Sequence, residues 1–204
     1  MSAVRLVTLN TWGTREDWPV RRNRLRRELV ELAPDLITLQ ETIVTASYDQ
    51  ALDVLSADYH LVHHAGGSQM ARASPPLVVG LLGGLKRSTY IHWPKRRLRL
   101  RRPAADSIRF WTGRHVVDGH SVCYLDAWES VHPDDAGHTF SPDNPYSRDW
   151  DWPFRRIDYV LVRCGPHRGP TLVIDSCTRI LDRAHNTVSD HYGILAELSL
   201  PRQP

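Results

Sequence analysis

Three cysteines in 204 residues, Cys123, Cys164 and Cys177, are too few for a disulfide framework and lack the spacing of a thiolate metal site. They are read as reduced, structural thiols. Long apolar runs are also missing. No segment approaches membrane-spanning length, and Met1-Ser2-Ala3-Val4-Arg5 has no apolar signal region, so no membrane span and a cytoplasmic location are expected. His63-His64, His115 with His120, and Cys164 with His167 lack the repeated ligand spacing of a zinc centre. One stretch has no acid at all. Lys86, Arg87, Lys95, Arg96, Arg97, Arg99, Arg101 and Arg102 fall between positions 86 and 102 without an Asp or Glu among them. Such a block is either a solvated loop or a surface that attracts polyanions.

What is present fits a globular chain. Apolar residues make up 41% and charged residues 24%, and the net charge is only +3. The length allows one domain with a substantial core, and a monomer is expected. Apolar patterning predicts a strand near 4–10, an amphipathic helix near 19–32 stopped by Pro34, and a strand near 35–40. A helix near 47–57 would bury Tyr48, Ala51, Leu52 and Leu55, and a strand is expected near 59–63. Most of Arg21, Arg22, Arg24, Arg26 and Arg27 are assigned to the outer face of the first helix. Leu77 to Leu82 reads as a strand before a Gly83-Gly84 turn. Three strands near 156–163, 171–180 and 192–199 complete an α/β pattern.

Chemistry gathers at strand ends. Asn10 and Glu41 each close an apolar strand with an oxygen ligand, which suits a hard cation such as Mg²⁺. Ser189-Asp190-His191 opens the last strand, and Asp158 opens the strand Tyr159-Val160-Leu161-Val162. A carboxylate there can hold the His191 imidazole in one tautomer for acid/base work on a phosphate ester. Each residue has a plainer alternative: Asn10 as a turn-forming amide before Gly13, Glu41 as an exposed strand-end acid, His191 as a structural histidine. Arg156 either neutralises phosphate or pairs with a carboxylate. Trp12 is placed at the rim of the site, and Trp111, Trp128, Trp150 and Trp152 either stack on a base or pack on the sheet edge. The runs Asp134-Asp135-Ala136-Gly137-His138 and Tyr146-Ser147-Arg148 read as specificity loops.

The set Thr-Leu-Asn-Thr-Trp-Gly (8–13), Asp-Leu-Ile-Thr-Leu-Gln-Glu (35–41), Arg-Ile-Asp-Tyr (156–159) and Ser-Asp-His (189–191), in this order, resembles the endonuclease/exonuclease/phosphatase superfamily. Members include deoxyribonuclease I, apurinic endonucleases, neutral sphingomyelinases and inositol-phosphate phosphatases. The resemblance implies a two-sheet α/β sandwich and hydrolysis of a phosphodiester or phosphomonoester, nucleic acid among the candidates. It implies Mg²⁺, or Mn²⁺ in its place, held by Glu41, Asn10 and Asp190. His191, Asp158 and Asp190 would carry catalysis, and Asn10, Arg156 and Trp12 would meet substrate.

The resemblance covers about residues 4–63 and 106–199 and leaves a gap. The family's Thr-His strand end and its Gly-Asp-x-Asn tetrad, whose Asp helps activate the attacking water, have no counterpart in this chain. A basic insert or junction at about 65–105 stands in their place, as a deletion or frameshift would leave it. The expected sandwich is therefore incomplete at its centre, and activity is expected to be impaired. The rival expectation is a non-catalytic polyanion-binding domain that uses the block at 86–102.

Overall fold

The computed structural model describes residues 3–55, 59–63, 78–79, 106–166 and 169–201. The basic block at 86–102 and most of the expected insert lie outside them. The described residues have mixed α/β content with two sheets. Strand β1 (Val4–Asn10) leads through helix α1 (Trp18–Leu32) to strand β2 (Leu36–Gln40), which pairs with β1 in parallel. Parallel neighbours need such a crossover, and a helix is the usual one. Strands β6 (Val173–Ile180) and β7 (Gly193–Ser199) extend this sheet in antiparallel fashion, giving the order β2-β1-β7-β6.

A smaller sheet holds β4 (Tyr124–Asp126) antiparallel to β5 (Leu161–Arg163), with the two-residue β3 (Val78–Val79) parallel to β5. Among the described residues three short helices complete the elements: α2 (Gln50–Val54), α3 (Asp106–Trp111) and α4 (Ala127–Val131). None is long and apolar enough to cross a membrane, and neither is α1.

The two central strands, β1 and β7, are buried on both faces, as their near-continuous apolar runs require, while the edge strands β2 and β6 are partly exposed. Leu6, Ile194, Ala196 and Leu198 pack with Val160, Val162, Ala127 and Trp128. From the opposite face, Val7, Leu9 and Leu195 pack with Trp18, Leu25 and Leu29 of α1 and Val54 of α2. Trp128 is therefore core, and Gly137 (φ +62°) leaves the space its indole fills, where a Cβ would collide.

Several local expectations are corrected. Residues 59–63 form no strand; Tyr59 instead donates its hydroxyl to the Pro34 carbonyl at 2.7 Å, and His63 meets Asp49 at 2.6 Å. Helix α2 is five residues long and turned from its expected face: Gln50, Ala51 and Val54 are buried and Leu52 is exposed. Asp49 fixes its start by accepting from the Ala51 and Leu52 amides, a stronger determinant than weak periodicity. The expected strand at 156–163 pairs only over Leu161–Arg163. Trp111 lies edge-on to Tyr124, while Trp150 and Trp152 are exposed.

Candidate phosphoester site

Strand direction gathers the motif residues. β1 and β2 run parallel while β7 runs against them, so the ends of the first two strands and the start of the third share one sheet edge. Asn10 sits opposite Gln40, placing Glu41 one residue further on, and Thr8 sits opposite Ile194, just after Asp190 and His191. Glu41, Trp12 and Gly13 all have positive φ, so both strands turn sharply at this edge.

His191 Nδ1 and Asp158 Oδ2 are 2.9 Å apart, with the two side chains 13% and 8% exposed. Asp158 thus reaches the site from the segment leading into the other sheet. Asp190 is buried, accepts from the Ser189 hydroxyl at 3.2 Å, and lies within electrostatic reach of His191, Glu41 and Asp158. Four of the five residues that the sequence brought forward as a reacting group therefore share one field. The fifth, Asn10, is buried beside them in the ladder and accepts from the Trp12 amide at 2.8 Å. This is the turn-forming role, and it leaves one lone pair of Oδ1 for another partner.

Burial and neighbouring charge together set the electrostatics. Burial alone would lower the His191 pKa, but Asp158, Asp190 and Glu41 win, and it is pushed up to about 9. The ring is an imidazolium at neutral pH and starts as a proton donor. Asp190 is raised above the ordinary carboxyl value, first by burial and then by Glu41 and Asp158, against the opposing pull of His191.

Both shifts have the same sign for stability. A raised folded-state pKa stabilises the fold fully below the unfolded value, and that contribution disappears as pH rises through the folded value. For His191 the window runs from 6.5 to about 9. The metal-free chain should lose roughly 3 kcal/mol across it. Urea unfolding at each pH would measure the loss, and His191→Asn should flatten the slope; an unchanged slope would assign it to other groups.

The supports of this site were not legible in the sequence. Thr139 is fully buried; its Oγ accepts from the Ile157 and Asp158 amides, and its carbonyl accepts from the Tyr192 amide at 2.8 Å. One threonine thus fixes the backbone on both sides of the His191–Asp158 pair. Asn144, also fully buried, donates to the Ser189 carbonyl at 2.9 Å, and Phe140 stands edge-on to the His191 ring. The cluster Thr139-Phe140-Ser141-Pro142-Asp143-Asn144 offered only a loop signal.

Two expectations for substrate contacts change. Arg156 takes its carboxylate alternative: Nη1 donates to both oxygens of Asp126 at 2.7 and 2.6 Å, with the pair 3% and 2% exposed. Its Nε donates to the Ala136 carbonyl, and its guanidinium lies over the Tyr159 ring. Trp12 is buried rather than at a rim, between Tyr146 and the guanidinium of Arg21. Its indole N–H is buried without a hydrogen-bond partner among the described residues.

Arg21 is the main surprise. Assigned to an outer helix face, it is instead fully buried, donating to the carbonyls of Thr11, Gly13, Arg15 and Val188. It joins the turn after Asn10 to the turn before Asp190. A shallow hollow lined by Val20, Asn23, Arg24, Arg26 and Arg27 lies along α1, but it contains no carboxylate or imidazole and is not this site.

Among the described residues, no group of three or more His, Cys, Asp or Glu is arranged to hold a metal. A zinc-type cage is thus absent from them. The oxygens of Glu41, Asp190 and Asn10 fit Mg²⁺ better, because that ion keeps several waters and needs only one or two carboxylates. Asp190 is raised first by burial and only then by Glu41 and Asp158, and a cation would relieve that second, electrostatic part. No protein-family model matches the chain, and no curated protein matches it.

Proposed function

We propose that the chain is a metal-dependent phosphoesterase of the endonuclease/exonuclease/phosphatase type, built as a two-sheet α/β sandwich and weakened at its centre. The observation that carries this reading is the His191–Asp158 hydrogen bond set beside Asp190 and Glu41. Asp158, Asp190 and Glu41 all act on the His191 ring, and perturbed clusters of this kind concentrate at functional sites.

Glu41 and Asp190 would hold Mg²⁺ or Mn²⁺, with Asn10 Oδ1 as a third oxygen. When bound, the ion draws charge from a phosphoryl oxygen and stabilises what develops there. His191 Nε2 donates to a phosphate oxygen or to the leaving oxygen, because the ring begins charged. Asp158 accepts from Nδ1, fixing which nitrogen faces the substrate. Thr139 and Asn144 hold both partners in place through backbone contacts. Nothing among these residues replaces the missing water-activating Asp. That absence is expected to slow turnover on the order of a thousandfold.

The test is hydrolysis of bis(p-nitrophenyl) phosphate and of plasmid DNA by the full chain, with and without Mg²⁺. Slow, Mg²⁺-dependent turnover that disappears in His191→Ala is expected. No Mg²⁺-dependent hydrolysis, or hydrolysis indifferent to His191→Ala, would overturn the enzymatic reading. Fast hydrolysis abolished by His191→Ala would keep the reading and contradict only the expected impairment.

A further inference from the structure

Two thiols outside this chemistry form a site of their own. Cys123 lies one residue before β4 and Cys164 one residue after β5. Extending the register Tyr124↔Arg163 by one step puts them opposite each other, and the Cys164 amide donates to the Cys123 carbonyl at 2.9 Å. Directly opposed residues of a hydrogen-bonded antiparallel pair have Cα atoms about 5.5 Å apart, inside the range a disulfide spans. The sulfurs are 2.7 Å apart, with Cys123 exposed and Cys164 buried. Cys177 is buried elsewhere, in the core of the larger sheet.

We infer that Cys123 and Cys164 are a modification site: a dithiol that closes to a reversible intramolecular disulfide when the chain meets a low-molecular-weight disulfide such as oxidised glutathione. The step balances in two exchanges. The exposed Cys123 thiolate attacks one sulfur of the oxidant, forming a mixed disulfide and releasing one thiolate. Cys164, as thiolate, then attacks Cys123 Sγ, expelling the second. Each cysteine loses one electron, the oxidant gains two, and the two thiol protons end on the released thiolates.

Division of labour follows from exposure. The oxidant reaches Cys123 first, while Cys164 is sheltered and waits at contact distance. Burial, and then its neighbour Cys123, push the Cys164 thiol up to about 11, so the second exchange should quicken as pH rises. The closed bond would span 41 positions. Within that span lie Thr139, Phe140, Asn144 and Asp158, the residues that hold the His191 site. Cross-linking a segment of this length restricts the unfolded chain and raises the unfolding midpoint. The inference stands apart from the phosphoesterase reading, since neither thiol belongs to that site.

The experiment treats the full chain with oxidised glutathione, then measures intact mass and maps peptides without reduction. Expected are a mass lower by two hydrogens, a peptide pair joined through Cys123 and Cys164, a higher thermal midpoint, and full reversal by dithiothreitol. Cys164→Ser should stop at a glutathionyl adduct on Cys123, and Cys123→Ser should leave Cys164 and Cys177 unmodified. A wild-type chain that keeps the glutathionyl adduct, forms disulfide-linked dimers through Cys123, or retains both thiols free would overturn the inference.

Discussion

Arg21→Met is expected to destabilise the fold by about 3 to 5 kcal/mol, a large share of the stability of a domain this size. Two effects oppose each other. Removing the guanidinium relieves a buried charge, whose desolvation already lowers the Arg21 pKa. It also strips the carbonyls of Thr11, Gly13, Arg15 and Val188 of a shared donor. The second effect wins, because those carbonyls come from two separate turns, only Gly13 keeps another side-chain donor, Gln50 Nε2, and methionine offers none. Arg21→Lys should recover only part of the loss, since an ammonium lacks the planar fork that reaches four acceptors. Urea unfolding is the measurement. A change within about 0.5 kcal/mol, normal for exposed helical arginines, would contradict the arrangement.

Arg156→Met is the second large effect, expected at about 3 kcal/mol or more, because it leaves the Asp126 carboxylate buried without its counter-ion. The cost is moderated because Asp126 also accepts from the Trp128 and Glu129 amides at the start of α4. Adding Asp126→Asn should restore part of the stability, since the remaining group is neutral and still caps the helix. If Arg156 were a phosphate ligand instead, Arg156→Met would spare stability and weaken phosphate binding, and the second substitution would restore nothing.

These two arginines also show where the sequence stops being readable. Strands β1, β2, β6 and β7 and helix α1 were legible because apolar spacing alone sets them, to within a residue or two at each end. The candidate site residues stood out in the sequence for a related reason: Asn10, Glu41, Asp190 and His191 lie at or beside strand ends, where short polar motifs contrast with apolar runs, while Asp158 lies in the segment leading into β5. Arg21 did not, because four neighbouring arginines on the same helix make it look like solvent-facing surface. Its burial comes from carbonyls as distant as Val188. The partner of Arg156 lies 30 positions away and could not be chosen from the sequence. Thr139 and Asn144 act through backbone groups of distant segments, which leaves no local pattern. The expected strand at 59–63 failed because apolar character in a short run does not supply a pairing partner.

Under the proposed reading, Glu41, Asp158, Asp190 and His191 form one site for a divalent cation and a phosphoryl group. Paramagnetic broadening of proton resonances during a Mn²⁺ titration of the full chain tests it most directly. The His191 ring signals should broaden first, Mg²⁺ should compete the effect away, and Glu41→Gln combined with Asp190→Asn should abolish it. Broadening confined to another acidic stretch, such as Asp134-Asp135, with the His191 ring left sharp, would contradict it.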